Sequence, residues 1–162
     1  MHNAIGYNQI QHIFIKMSSL KKVVVFGIFD GVHEGHRSLF RQARLRSAQS
    51  LGLQIKDVEL TVIVGRDFAS LRWKNKKPRH SEEIRRGLVS KEQGVDKAVL
   101  GDEEQSSYKI LEDINPDVIC LGYDQEALEE DIKEWLSKTG KNISLIRLKS
   151  HHPETHHNSL KK

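Results

Sequence analysis

Gly27-Ile28-Phe29-Asp30-Gly31-Val32-His33-Glu34-Gly35-His36 decides how this chain is read. The apolar run Val23-Val24-Val25-Phe26 leads directly into it, and the helix-like segment Arg37-Ser38-Leu39-Phe40-Arg41-Gln42-Ala43-Arg44 follows it. A strand therefore enters a glycine-bearing turn and leaves as a helix, with His33 and His36 on either side of Gly35 at the helix mouth. The first turn of a helix leaves backbone N–H groups unpaired, and these attract anions. A glycine there lets a phosphate approach the backbone, and two imidazoles add donors for its oxygens. A His-x-Gly-His on its own arises often by chance. The strand–turn–helix setting is what makes it a nucleotide-phosphate site.

Strands and helices alternate outward from this stretch. Residues 23–27 read as the first strand. The first helix runs from 35 to about 51, with Leu39, Phe40, Ala43 and Ala48 near one face and Gly52 as its stop. Residues 58–64 form the second strand. Ser81 suits the cap of a second helix, Glu82 and Glu83 suit its positive end, and Gly94 closes it. A third strand at 98–100, a helix at 108–114 stopped by Asn115-Pro116, and a fourth strand at 118–121 follow. A helix at 128–136 stopped by Gly140 and a fifth strand at 143–148 complete the pattern. Strands that are apolar throughout and separated by helices predict an α/β fold: a single Rossmann-like domain, with a five-stranded parallel sheet covered by helices on both faces.

Ligands of such sheets bind at the C-terminal strand ends. Two further motifs fall there, Gly65-Arg66-Asp67 after the second strand and Gly122-Tyr123-Asp124-Gln125 after the fourth. The connection after Asp67 is long and basic, with Arg72, Trp73, Lys74, Lys76, Lys77 and Arg79, and reads as a mobile lid. On position alone, the third motif suits an ordinary turn as well as a ligand contact.

The chain's 162 residues suit one domain, and its 37% hydrophobic and 30% charged residues suit a globular protein. Its apolar runs are too short to span a membrane, and the N-terminus lacks a signal-peptide pattern. Cys120 is alone, which excludes a disulfide framework and predicts a cytoplasmic setting. The net charge of +4 is gathered on the first helix and between residues 66 and 86. That distribution favours a phosphate-rich small substrate over nucleic acid. Residues 1–20 read as a flexible N-terminal arm, with Met17 as an alternative start, and 21–150 as the domain. Residues 151–162 read as a polar tail; its His151, His152, His156 and His157 lack acidic or cysteine partners to fix a metal geometry.

These motifs resemble the cytidylyltransferase-like nucleotidyltransferases, which carry Gly-x-Phe-Asp and then His-x-Gly-His. That group includes glycerol-3-phosphate cytidylyltransferase, the FAD synthases and pantetheine-phosphate adenylyltransferase. Arg66-Asp67, Lys74, Pro78 and Glu83-Ile84-Arg85 look like the Arg-Asp…Lys-Gly…Pro…Glu-x-Arg pattern of archaeal-type FAD synthases and glycerol-3-phosphate cytidylyltransferases. Residues 95–102 and 116–125 are most similar to the FAD synthases, and the resemblance covers about residues 22–150. Three positions depart from it. Ile28 stands where a Thr or Ser is usual, Asn75 where a glycine is expected, and His157-Asn158-Ser159 offers a single hydroxyl in place of a Ser/Thr-rich phosphate motif.

The resemblance implies direct transfer of a nucleoside monophosphate from ATP or CTP to a phosphorylated acceptor, with release of pyrophosphate. His33 and His36 would hold the triphosphate, Lys74 would descend from the lid, and Arg85 would hold the pyrophosphate. The nucleotide site would further draw on Gly27, Ile28, Phe29, Asp30, Gly35, Arg66, Asp67, Gly122, Asp124, Gln125 and Ser159, with Asp30 either orienting the site or holding its turn. Mg2+ or another divalent cation would bind mainly through substrate phosphates, with no protein ligand assigned. Homodimers are frequent in the family. The leading acceptor is FMN, with Trp73, Phe68 and Tyr123 to wall its ring. The alternatives are glycerol 3-phosphate, giving a CDP-alcohol, and a nucleotide-binding module without catalysis.

Overall fold

The computed structural model describes residues 6–18 and 20–151. It contains α1 (Tyr7–Ser18), β1 (Lys21–Gly27), α2 (Glu34–Leu51), β2 (Val58–Val64), α3 (Asp67–Lys74), α4 (Glu82–Ser90), β3 (Lys97–Leu100), α5 (Lys109–Ile114), β4 (Val118–Leu121), α6 (Glu126–Thr139) and β5 (Ser144–Arg147). The strands form one parallel sheet in the order β3-β2-β1-β4-β5. The chain thus winds outward from β1 to β3, returns, and continues on the other side as β4 and β5. β1 and β4 flank the switch point, where the crossovers part to opposite faces and leave a crevice at the strands' C-terminal ends.

Alternation along the central strands divides the core in two. Val23, Val25, Val118 and Cys120 join Phe40, Ala43 and Val89 on the face covered by α2 and α4. Val24, Ile119 and Leu121 join Leu111, Ile132 and Trp135 on the face covered by α5 and α6. Each buried aliphatic side chain contributes about 1.5–3 kcal/mol, so both faces anchor the strand ends that carry the site.

Besides the lid, which opens as α3, two predicted segments differ. The N-terminal arm includes a helix, α1, whose Tyr7, Ile10 and Ile13 are exposed. α4 ends at Ser90 rather than at Gly94, which instead takes a left-handed φ of +88° in the turn leading to β3. No described helix is long and apolar enough to cross a membrane.

Candidate active site

β1 ends at Gly27, and the chain turns at once. Phe29 takes φ +56°, a left-handed conformation that costs a side-chain-bearing residue about 1–2 kcal/mol. Burial of its ring offsets that cost. The ring folds back over Gly27, where a Cβ would lie 2.5 Å from it. It then meets His36 edge-on at 5.0 Å and Phe40 at 5.5 Å. Asp30 accepts hydrogen bonds from the backbone N–H of Arg79 (2.7 Å) and His80 (3.0 Å), and lies 2.9 Å from His80 Nδ1. The Arg79 N–H bond, with the two from His80, holds its carboxyl down at about 2. Of the two roles open to Asp30, this geometry is that of a residue holding the turn, tied to the 79–80 segment.

His33 and His36 stack with ring centroids 3.8 Å apart. His33 caps α2: its Nδ1 accepts the Gly35 N–H (3.0 Å), and His36 Nδ1 accepts the His33 N–H (3.3 Å). A neutral imidazole whose Nδ1 accepts carries its proton on Nε2. Both histidines are therefore donors. Gly35 also answers a packing demand. A Cβ there would meet His33 Cε1 at 2.8 Å, so the glycine makes room for the capping ring. Burial, reinforced by the nearby His33 and Lys74 and opposed by the Gly31 backbone, pushes His36 down to about 4. His36 is thus neutral at physiological pH.

The predicted lid begins as a helix. Acidic Asp67 opens α3, basic Arg72 and Lys74 close it, and both suit the helix dipole. Asn75 ends it at φ +51°, the conformation in which asparagine is the usual substitute for glycine. The departure at position 75 thus meets the same backbone demand. Trp73 and Lys74 are thereby set on a fixed element.

Arg85 also departs from its expected role. Its side chain is 0% exposed. Nη1 donates to the carbonyls of Ile28 (2.7 Å) and Gly65 (2.8 Å), Nε to His80 (3.1 Å), and Nη2 to Asp67 Oδ1 (2.6 Å). It ties the phosphate turn, the end of β2 and the start of α3 together from beneath, and is enclosed where a leaving pyrophosphate would need it open. Arg66 and Asp67 serve the same lattice. Arg66 donates to the Gly101 carbonyl and Glu82, and the Asp67 N–H donates to Glu82. Gln125 stitches the switch point: its Oε1 accepts the Gly122 N–H (2.7 Å) and its Nε2 donates to the Phe26 carbonyl (3.0 Å).

Two cavities share this floor. One, of about 410 Å³, is bordered by His33, His36, Gly122, Tyr123, Lys149 and His151. The other, of about 320 Å³, is an apolar slot bordered by Ile63, Ala69, Trp73, Ala127 and Leu128. Phe26, Gly27, Ile28, Lys74, Asp124 and Gln125 border both. The structure therefore brings His33, His36, Lys74, Gly27, Ile28, Asp124 and Gln125 together, with Phe29, Gly35 and Gly122 on the histidine side. Tyr123 lies in the histidine cavity and not beside Trp73. Lys149 and His151 border that cavity too; sequence reasoning assigned Lys149 no role and placed His151 in the tail. Ser159, His152, His156 and His157 lie outside the described residues.

Residues 24–160 match the model of the family described as cytidylyltransferase-like. An FAD synthase of Aciduliprofundum boonei is 40% identical over 130 residues, covering 80% of this chain and 79% of that protein. One from Archaeoglobus fulgidus is 42% identical over 123 residues, covering 76% and 80%. Among solved structures, a lipopolysaccharide core biosynthesis protein of Thermoplasma volcanium superposes with a TM-score of 0.66 at 30% identity, over 81% of this chain and 98% of that one.

Proposed function

The chain belongs to the cytidylyltransferase-like family, and on that premise we propose that it is an FAD synthase, a nucleotidyltransferase that joins FMN to the AMP portion of ATP and releases pyrophosphate. The observation that carries the acceptor is the apolar slot opening off the histidine cavity across a shared wall. A triphosphate needs the polar cavity. A flat aromatic acceptor needs the slot, whereas glycerol 3-phosphate has nothing to place against Trp73, Ile63 and Leu128. Asn75, one of the three departures from the family pattern, supplies the left-handed cap itself and so gives no support to a non-catalytic module.

An oxygen of the acceptor phosphate attacks the α-phosphorus. The new P–O bond forms as the bond to the β-phosphate oxygen breaks, and pyrophosphate leaves with that electron pair. Such transfers are accelerated by positioning and by stabilising charge on the transferred group. His33 and His36 supply two Nε2–H donors on the triphosphate side. Lys74, at the wall between the cavities, supplies the positive charge that both substrates face. Arg85 and Asp30 keep these groups in register from below. Among the described residues no group of three or more His, Cys, Asp or Glu is placed to hold a metal ion. A divalent cation would be carried in on the nucleotide's phosphates, and Asp124, which borders both cavities, is the carboxylate that could help hold it. Such a cation neutralises phosphate charge.

The purified protein supplied with FMN, ATP and Mg2+ should form FAD and pyrophosphate in equal amounts, and no product from glycerol 3-phosphate with CTP. CDP-glycerol without FAD would overturn the assignment.

A further inference from the structure

The apolar slot does not end at Trp73. It continues as a narrower space of about 80 Å³ that reaches Arg66, Phe68, Asp102 and Gln105. Phe26, Ile63, Ala69, Trp73 and Leu128 border both stretches, so the slot runs from the switch point to the connection between β3 and α5.

That connection is pinned at both ends. Arg66 Nε donates to the Gly101 carbonyl at 2.8 Å, and the Gly101 N–H donates to the Val64 carbonyl at 2.9 Å. The Asp102 carboxylate accepts the Ile110 N–H at 3.1 Å. On the other side, the hydroxyls of Ser106 and Tyr108 both donate to Asp131. Both residues take left-handed φ values, +58° and +50°. The buried Tyr108 ring stands edge-on to Phe26 at 6.4 Å, on the slot's own wall.

Between the pins, Gln105 rims the far end of the slot, and among the described residues its amide has no hydrogen-bond partner. Glu104 pairs with Lys109, and Asp102 is engaged at the start of α5. Of the polar side chains that border this end of the slot, Arg66, Asp102, Glu104 and Ser106 are engaged and Gln105, which is exposed, is uncommitted; the buried Ser107 hydroxyl also lacks a partner but does not border the slot. A carboxamide presents a donor beside an acceptor. Its complement is a ring edge with an N–H beside a carbonyl, attached to an apolar body, which is the imide edge of an isoalloxazine.

We propose that the loop at residues 101–106, through Gln105, reads the imide edge of the acceptor's ring, while the ring body lies between Trp73 and Leu128 and the acceptor's phosphate faces Lys74. This rests on the FAD synthase reading above and makes Gln105 a specificity determinant of that same site.

The test compares the wild type with Gln105→Ala, using FMN and FMN methylated at the imide nitrogen. Loss of one neutral hydrogen bond should raise the FMN KM roughly 3–10-fold, leaving the ATP KM and the turnover at saturating FMN unchanged. The methylated analogue should be disfavoured by a similar factor in the wild type and by no further factor in the variant, because the contact it blocks is already gone. An unchanged FMN KM in Gln105→Ala, with FAD formed by the wild type, would discard the subsite and leave the reaction standing. An equal rise in both KM values would make the loop a general scaffold and also refute the specificity role. No FAD from the wild type would remove both.

Discussion

Arg85→Met separates two roles for the buried guanidinium. The arginine satisfies the carbonyls of Ile28, Gly65 and His80 and the carboxylate of Asp67. A buried acceptor left unpaired costs about 1–3 kcal/mol. The bond to the Ile28 carbonyl is buried, and those to the Gly65 and His80 carbonyls are partly buried. The Asp67 side chain is 47% exposed, so it rehydrates and adds little. Methionine refills most of the volume without restoring any donor. The net loss is about 3–5 kcal/mol. At roughly 2–4 °C per kcal/mol for a chain of this size, the melting temperature should fall by about 6–20 °C. Arg85→Lys, which keeps a charge and one nitrogen, should lose about half as much. Thermal unfolding followed by circular dichroism gives the shift, and steady-state kinetics well below the new midpoint give the activity. If the melting temperature were unchanged while turnover fell by about a hundredfold, Arg85 would have to reach the pyrophosphate, and the scaffold argument would be refuted.

His36→Ala should lower turnover by about a hundredfold, because it removes a donor aimed at transition-state charge, with a much smaller change in the ATP KM; equal effects on both would make it a ground-state contact. Lys74→Ala should raise the KM for both ATP and FMN, since it removes the charge at their shared wall, while leaving the melting temperature within about 1 °C; a shift in only one KM would confine Lys74 to one cavity. In the folded chain His36 titrates at about 4, whereas in the unfolded chain it titrates near 6.5. Between those values the unfolded state binds the proton that the folded site refuses. This group therefore costs nothing above pH 6.5, and its penalty grows as pH falls towards 4. Denaturation midpoints of His36→Gln should accordingly decline less steeply than wild type across that window, and parallel curves would place the titration elsewhere.

The sheet was legible because each strand is a short apolar run ended by a turn residue, and β2 and β4 fall on the residues read from the sequence. α3 was not legible. Asp67–Lys74 has no strong apolar face and sits in a basic stretch, so it reads as a loop; its helical state depends on the Asn75 cap and on the Glu82 and Arg85 bonds from a later element. The histidine pair, Lys74, Asp124 and Gln125 could be placed together from the sequence because they lie at strand and helix ends, where local pattern fixes position, and they do border the same cavities. The burial of Arg85 was not legible, since its depth depends on three separate turns closing over it. Lys149, Gln105 and the Ser106–Tyr108 pins left no trace in the sequence. Their meaning comes from spatial neighbours such as Asp131, 25 residues from Ser106 and 23 from Tyr108.

The main chain has consequences for the histidines beyond where it puts them. Each Nδ1 lone pair is already engaged by an N–H of the same turn. Neither ring therefore has a free basic nitrogen with which to take a proton from a reacting group, and His36 stays uncharged until the solution is strongly acidic. The site can polarise a phosphate without exchanging protons with it. An acceptor phosphate that arrives ionised and a pyrophosphate that departs ionised need no acid or base from the protein. Turnover limited by the chemical step should therefore run at nearly the same rate in heavy water as in ordinary water, and its dependence on pH should follow the ionisation of the substrates and not that of His36.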